Sequence, residues 1–408
     1  MDIMPTRYES LAATIAGYEQ SRIPLVALAD GRYAAAGYSD SKGLHYAVPR
    51  LVETFGLSLQ TAIDVVLWGT LFAGFAVGLA GLLLLCPTAR QRIVAVAQWS
   101  LLLAYSLAAV RDVYVFGVAV TVAVVPWGLL VLRRGDRPQR AIAFCVAAGL
   151  AVGCAHQFRA QAGAGAGALL VLLIWLEAGR PVPWRGALTA MLCGAALLPS
   201  LWFERLSSER DAFLAAHSPE YFARTQGAWG GAPWHSVYIG LGFLNNPWVA
   251  EYRDDVAVAR VRQVRPEAAY LSREYQAVLR RDVLRLAGSH PGFVVRTLSA
   301  KAGVLLFWVL VFGNAGLLRA VQRGGWGRLD FAFAAAALCA SLPGLLVMPL
   351  PHYVSSLLAL ATIYGIVRLN DAASARLTTA DSEPPLPRLS GVVRWPGCET
   401  TAPLARPQ

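Results

Sequence analysis

A short polar stretch near the start of the chain holds the residues best suited to acid-base chemistry. Asp40 lies in the stretch 37–50, with Tyr38, Lys42 and His45 within one or two helical turns of it. A carboxylate at a boundary between water and an apolar phase can have its pKa raised by partial desolvation, which suits a general base. A solvated loop residue, or a cap for a helix beginning near Lys42, is the structural alternative. Asp40 is therefore our candidate catalytic base.

A second carboxylate lies in a turn between two apolar segments, where Arg111 and Asp112 are adjacent. A helix cap or a local ion pair would explain these residues. The functional interpretation is that Asp112 faces Asp40 across the mouth of a helix bundle, where the two carboxylates orient an acceptor hydroxyl. They could also hold a divalent cation through oxygen ligands, although two carboxylates supply few ligands. Arg111 is a candidate phosphate ligand.

Further candidate phosphate ligands lie at the ends of apolar segments. His156 and Arg159 share one polar turn, Lys301 opens a later apolar segment, and His352 and Tyr353 open the last one. A guanidinium can hold a phosphate through two parallel hydrogen bonds. The alternative is that these side chains reach toward lipid headgroups, as basic residues at the ends of membrane helices commonly do.

The composition indicates a membrane protein. Of the 408 residues, 56% are hydrophobic and 15% are charged, whereas a soluble domain carries about 25% charged residues. The six cysteines show no CxxC or Cys/His metal spacing, which favours small buried side chains over a disulfide framework or a metal site. P-loop, GxGxxG, GxSxG and HExxH motifs are absent. The net charge of +11 comes almost wholly from arginines, whose distribution is explained by membrane topology, so nucleic acid is not a predicted partner.

Nine apolar segments predict an all-α, polytopic bundle of about nine membrane spans. They cover residues 59–86, 93–110, 113–132, 141–155, 162–176, 186–203, 300–318, 329–350 and 354–367. The segment 1–58 contains no spanning helix or signal peptide, and Pro24 and Gly31 divide it into two short helices. Because such a segment is awkward to translocate unaided, a missing first helix upstream of Met1 is one expectation, which would make ten spans.

The connections between the segments alternate in charge. Those at 88–92, 133–140, 179–185 and 319–328 are rich in arginine, which places them in the cytoplasm by the positive-inside rule. The expected organisation is an external region 1–58, a transmembrane block 59–203, an external helical segment 204–299, a transmembrane block 300–367 and a disordered cytoplasmic tail 368–408.

Within the external segment, one amphipathic helix is predicted in detail. Ser272 is a natural N-cap, and Gly288 and Pro291 end the helix. One face carries Tyr275, Leu279, Val283 and Leu286. This helix is expected to lie along the membrane surface. In the bundle itself, the small-residue run 160–168 is expected to let another helix pack closely.

The order of several motifs resembles the GT-C superfamily of integral membrane glycosyltransferases, which includes protein-mannosyl and aminoarabinose transferases. The sequence Tyr38-Ser-Asp-Ser-Lys-Gly-Leu-His-Tyr-Ala-Val-Pro49 is similar to the acidic first external loop of that group, and Asp112 lies at the next external turn. The stretch 282–301, ending in Lys301, resembles its interface helix and following lysine, and Pro351-His-Tyr353 resembles its closing motif.

This resemblance implies transfer of a sugar, with inversion, from a polyprenyl-phosphate donor to a glycan, lipid or protein acceptor on the outer face of the inner membrane. Asp40 would be the base, Asp112 an accessory acid or metal-site residue, and Arg159, Lys301 and His352 phosphate ligands. An O-antigen ligase or polymerase type of enzyme, which uses external arginine and histidine, is one alternative. A lipid-sugar transporter or flippase is another; it would need ionisable groups along a path, and Asp64 and Asp330 are nearly the only interior carboxylates.

Overall fold

The computed structural model describes residues 3–36, 41–134, 138–176, 181–220, 222, 233–322 and 326–380, with the backbone alone at 133–134 and 371–380. The chain divides into a main unit, Met1–Asn370, and a C-terminal unit, Asp371–Gln408. Of the C-terminal unit, only residues 371–380 are described, and they are helical. The rest of the predicted tail, and Asp40 with its neighbours at 37–39, lie outside the described residues.

The described chain is almost entirely helical. Its elements are α1 (Pro5–Ser21), β1 (Val26–Ala29), β2 (Arg32–Ala35), α2 (Lys42–Phe55), α3 (Leu59–Leu85), α4 (Ala89–Ala109), a 3-10 turn (Asp112–Tyr114), α5 (Val115–Arg134), α6 (Pro138–Phe158), α7 (Ala164–Leu176), α8 (Val182–His217), α9 (Pro233–Gly240), a 3-10 turn (Leu241–Phe243), α10 (Asp254–Val264), α11 (Arg273–Ser289), α12 (Pro291–Gln322), α13 (Arg328–Leu346) and α14 (Ser355–Ala380).

The predicted all-α, polytopic bundle is confirmed. Seven helices in the described residues are long and apolar enough to cross a membrane, and they coincide with seven of the nine predicted segments. Two shorter apolar helices, Ala164–Leu176 and Ser355–Asn370, occupy the positions of the other two. Many of their apolar side chains face outward, as expected where lipid is the solvent. The protein is therefore a multi-pass helical membrane protein.

Close approach between helices depends on small residues. On α6, a Cβ added to Gly149 would lie 2.3 Å from the backbone oxygen of Leu192 on α8, so only glycine permits this spacing. On α7, a Cβ added to Gly165 would lie 2.7 Å from the Cβ of Ala340 on α13. This contact confirms the prediction that the small-residue run 160–168 is a packing surface.

The N-terminal region contains the two predicted short helices, α1 and α2, with an unpredicted β-hairpin between them. Strands β1 and β2 are antiparallel, with Ala29 opposite Arg32. The two turn residues have positive φ, 50° at Asp30 and 69° at Gly31. An Asp-Gly pair adopts this turn readily, so the dipeptide was a hairpin signal in the sequence.

Helices α9, α10 and α11 form a separate small cluster, here called the helical lobe. Its buried core comprises Tyr238, Ile239, Leu241, Val249, Ala257, Val261, Tyr275, Val278, Leu279 and Leu286. The prediction for α11 is confirmed at its start, because the Ser272 hydroxyl accepts a hydrogen bond from the backbone N–H of Tyr275. The helix also ends at Ser289, before Pro291. A position along the membrane surface stays a prediction.

Candidate functional site

A cluster of polar and aromatic side chains lies where the start of α5, the end of α6 and the start of α14 meet. We call it the Arg159 cluster, and it comprises Tyr114, Arg159, Tyr252, His352 and Tyr353. The Arg159 guanidinium carbon lies 4.4 Å from the centroid of the Tyr114 ring and 6.0 Å from that of Tyr353. Its Nη2 donates a hydrogen bond to the Tyr114 hydroxyl at 3.3 Å. The rings therefore fix the position of the cation.

Local backbone structure presents these side chains at one end of the bundle. Tyr114 lies in the 3-10 turn that precedes α5, and Arg159 directly follows α6, its N–H still bonded to Ala155. His352 and Tyr353 lie in the turn before α14, where the Ser355 hydroxyl donates to the His352 carbonyl. Short turns between helices thus bring residues distant in sequence to one surface.

The helical lobe also contributes to the cluster. The hydroxyls of Tyr252 and Tyr353 are hydrogen-bonded at 3.1 Å. Burial and the neighbouring Tyr353 raise the pKa of Tyr252 well above its ordinary value, so this phenol stays protonated. The Tyr114 ring centroid lies 5.0 Å from that of Tyr353 and 4.5 Å from that of His352.

The cluster holds a cation beside a neutral imidazole. Burial lowers the pKa of Arg159 to about 10, which leaves the guanidinium charged at neutral pH. Burial, with the cations of Arg159 and Arg111, lowers the pKa of His352 to about 4. His352 is therefore uncharged at neutral pH, able to donate or accept a hydrogen bond. A bound phosphate would find a bidentate donor in Arg159 and further donors around it.

A buried ion pair adjoins this cluster. Arg7 on α1 donates through Nε to Asp112 Oδ2 at 3.0 Å, and the two side chains are 4% and 3% exposed. The other Asp112 oxygen accepts from the backbone N–H of Val113 at 2.8 Å. Arg7 Nη1 donates to the Ser41 hydroxyl. Arg7 thus joins Asp112 to the residue that follows Asp40 in the chain.

His45, on α2, is a second buried polar side chain near Arg7. Its Nδ1 is 2.9 Å from the Thr14 hydroxyl, and its Nε2 is buried with no hydrogen-bond partner among the described residues. Burial, with the nearby Arg7 cation, lowers the pKa of His45 to about 3. The imidazole is therefore neutral in the folded protein, and protonation would place a second cation beside Arg7.

We expect His45 to make the protein less stable in acid. Between pH 6.5 and about 3, the unfolded chain binds a proton that the folded protein does not, so stability falls as the pH falls through this range. The loss attributable to His45 should be roughly 3 kcal/mol at pH 4. In His45→Asn, which keeps a hydrogen-bonding group near the position of Nδ1, thermal unfolding in detergent should depend less on pH.

His217→Asn is the matched control, because His217 is exposed. Its unfolding profile should follow that of the wild type. Parallel profiles of the wild type and His45→Asn between pH 6.5 and 4 would show that His45 is not the group responsible.

The structure brings some of the predicted site residues together and separates others. Asp112, Arg159, His352 and Tyr353 lie at this end of the bundle, and Arg111 is close enough to affect the pKa of His352. His156 is exposed, and its Nδ1 accepts from the backbone N–H of Gln161 at 3.1 Å. Lys301 is buried, and its Nζ donates to the Val347 carbonyl at 2.9 Å. Asp40 is the one predicted site residue outside the described part of the chain.

Three residues of this region were not predicted from the sequence. In the sequence, Arg7 only interrupts an apolar pattern, and Tyr114 and Tyr252 are not among the predicted site residues. Tyr114 follows Asp112 by two residues, so its closeness to a predicted site residue was a usable sign that it belongs to the site. Arg7 lies 105 positions from Asp112. Its pairing depends on how α1 packs against the bundle, and no local pattern encodes that.

Among the described residues, no group of three or more His, Cys, Asp and Glu side chains is arranged to hold a metal ion. The divalent cation at Asp40 and Asp112 stays a prediction, since Asp40 is not described. No family model matches the chain, and no characterised protein or solved structure is significantly similar to it.

Proposed function

We propose that this protein is a membrane glycosyltransferase of the GT-C type, which transfers a sugar from a polyprenyl-phosphate donor to an envelope acceptor. One observation supports this proposal most. The charged Arg159 guanidinium packs against aromatic rings at the end of an apolar bundle, beside the Arg7–Asp112 pair. An amphiphile with a phosphate between a sugar and a hydrocarbon tail suits such a boundary, because the bundle faces lipid and the cluster offers phosphate donors.

In the proposed reaction, the donor phosphate binds Arg159, with His352 and Arg111 beside it. The acceptor hydroxyl loses its proton to Asp40 as its oxygen attacks the anomeric carbon from the side opposite the phosphate. The bond from that carbon to the phosphate oxygen breaks, and polyprenyl phosphate leaves with the electron pair. Arg159 stabilises the negative charge that develops on the leaving oxygen. The configuration at the anomeric carbon is inverted.

The roles of the remaining residues follow from their contacts. Asp112 accepts from Arg7, so in this proposal it holds Arg7, which in turn donates to Ser41, the residue that follows Asp40 in the chain. Lys301 donates a hydrogen bond to the Val347 carbonyl, close to where α13 ends. It would therefore orient the connection between α13 and α14 beside the bound polyprenyl-phosphate sugar. The helical lobe, joined to the cluster through Tyr252, would limit the access of water.

The proposed orientation depends on arginine distribution. The connections at 88–92, 133–140, 179–185 and 319–328 would face the cytoplasm, and the Arg159 cluster would face outward. In a bacterial inner membrane, this places the reaction on the outer face. The partners would be a lipid-linked sugar, a glycan, lipid or protein acceptor, and the surrounding membrane lipids.

Release of polyprenyl phosphate tests this proposal. The purified protein would be reconstituted with the lipid fraction and the envelope fraction of its own cells, and free polyprenyl phosphate would be measured by mass spectrometry. We expect release that requires both fractions. Movement of intact lipid-linked sugar across the bilayer, without release, would instead identify a transporter or flippase.

An O-antigen ligase or polymerase type of enzyme is the second candidate function. One observation favours it: Arg159 and His352 lie in the same cluster, and the Arg111 cation contributes to the lowered pKa of His352. In such an enzyme, arginine and histidine carry the reaction. Activity that survives in Asp40→Asn but is lost in Arg159→Ala would support this candidate over the first.

A further inference from the structure

Helix α11 uses its apolar face to build the core of the helical lobe. Tyr275, Leu279 and Leu286 are buried there, so this face is closed to lipid. The opposite face, here called the outer face of α11, consists of side chains spaced three or four positions apart. All of them are exposed: Arg273, Ala277, Arg281, Leu284 and Gly288. The surface that α11 presents to its surroundings is therefore basic.

The protein itself does not neutralise the arginines on this side. Arg281 has no Asp or Glu three or four positions away, the spacing at which ion pairs form along a helix. The same is true of its exposed neighbour Arg280. Among the described residues, ion pairs of the helical lobe are formed by other arginines, such as Arg260 and Arg285, which share Asp282. The charge of Arg280 and Arg281 is thus available to an anion from outside the chain.

This basic surface adjoins the start of a membrane span. Helix α11 ends at Ser289, and the candidate span α12 begins at Pro291. At a rise of 1.5 Å per residue, Arg281 lies about 12 Å along α11 from its last residue. Arg296, in the second turn of α12, is exposed as well. Both arginines therefore lie near the point at which the chain enters the membrane.

Exposed apolar side chains accompany the arginines. The Trp248 ring packs against His290 and Phe293, with centroid distances of 4.4 and 4.7 Å, and is still 39% exposed. Leu284 and Val295 are 53% and 62% exposed. Tryptophan is enriched at membrane interfaces, where phosphate and hydrocarbon are both within reach. A soluble polyanion offers charge alone, so this mixture of side chains favours a lipid surface.

We propose that the outer face of α11, together with Arg280 and Arg296, binds the headgroups of anionic phospholipids and holds the helical lobe against the membrane. Arginines beside a span are attracted to anionic lipid surfaces, and each should tighten binding by about fivefold. No residue of the Arg159 cluster takes part, so the proposal does not depend on sugar transfer.

Photocrosslinking of the full chain in lipid nanodiscs tests this proposal. The probes are phosphatidylglycerol and phosphatidylcholine that carry the same photoreactive group near the phosphate, and mass spectrometry locates their adducts on the peptides of α11. Phosphatidylglycerol should label α11 of the wild type more than phosphatidylcholine does. Arg281→Gln with Arg296→Gln should lower phosphatidylglycerol labelling by about thirtyfold and leave phosphatidylcholine labelling unchanged. Both side chains are exposed, so this variant keeps the packing intact.

Arg90→Gln with Arg140→Gln is the matched control. Both arginines are exposed and lie in the arginine-rich connections at 88–92 and 133–140, so the same charge is lost outside the helical lobe. This variant should be labelled on α11 as the wild type is. Equal labelling of the wild type by the two lipids would overturn the proposal, as would undiminished phosphatidylglycerol labelling after loss of Arg281 and Arg296. Absence of adducts with either lipid would also overturn it and would favour a soluble anionic partner.

Discussion

Replacing Arg159 by alanine is expected to lower the rate of sugar transfer by about a hundredfold to a thousandfold, the usual cost of removing one preorganised donor to a developing oxyanion. The guanidinium is the charged group that the rings of Tyr114 and Tyr353 hold in place. Arg159→Lys keeps the charge but loses the paired donors, so it should recover only part of the activity. Release of polyprenyl phosphate by the reconstituted protein measures both effects.

Arg140→Ala is the matched control for this prediction. Arg140 is exposed in the first turn of α6, whereas Arg159 follows the last turn of the same helix. Its removal should leave the rate unchanged, because it lies at the opposite end of the bundle. Equal rates for Arg159→Ala and the wild type would remove Arg159 from the reaction.

Replacing Arg7 by alanine should lower the free energy of unfolding by about 3–5 kcal/mol, because it leaves the Asp112 carboxylate buried without its cation. It also removes the hydrogen bond to Ser41. Adding Asp112→Asn to Arg7→Ala removes the buried charge and should recover part of this loss. Denaturant-induced unfolding in detergent measures the three free energies.

Arg22→Ala serves as the comparison for a pair on the surface. Arg22 pairs with Glu53, but the side chains are 62% and 39% exposed. Its loss should cost less than about 1 kcal/mol. If Arg7→Ala lowered the free energy of unfolding as little as Arg22→Ala, the predicted cost of leaving Asp112 buried without its cation would be contradicted.

The bundle could be predicted because membrane spans follow from composition over a window of about 20 residues. The lengths of α3, α4 and α5 agree with the predicted apolar segments to within a few residues. The cap at Ser272 was equally predictable, since it depends on residues within one turn. The end of α8 was not predictable, because this helix continues to His217 through polar residues that no apolar pattern marks.

The candidate site was only partly predictable, because its contacts join residues far apart in sequence. That Arg159, His352 and Tyr353 lie at helix ends was visible from the charge pattern. Their convergence with Tyr252 depends on how the helical lobe packs against the start of α14. For Lys301, the role of phosphate ligand stays a prediction. Its hydrogen bond to the Val347 carbonyl also joins residues far apart in sequence and could not be predicted from a local pattern.

Mass spectrometry of cell-envelope glycans tests the proposed sugar transfer most directly, since it detects the loss of a sugar from any glycan, whichever sugar and acceptor the protein uses. Glycans would be compared between cells lacking the gene, cells restored with the wild type, and cells restored with Asp40→Asn at the same protein level. We expect a sugar to be missing from one glycan in cells lacking the gene and in cells restored with Asp40→Asn. The same sugar should be present in cells restored with the wild type. An unchanged glycan profile in cells lacking the gene, or full restoration by Asp40→Asn, would contradict the proposal.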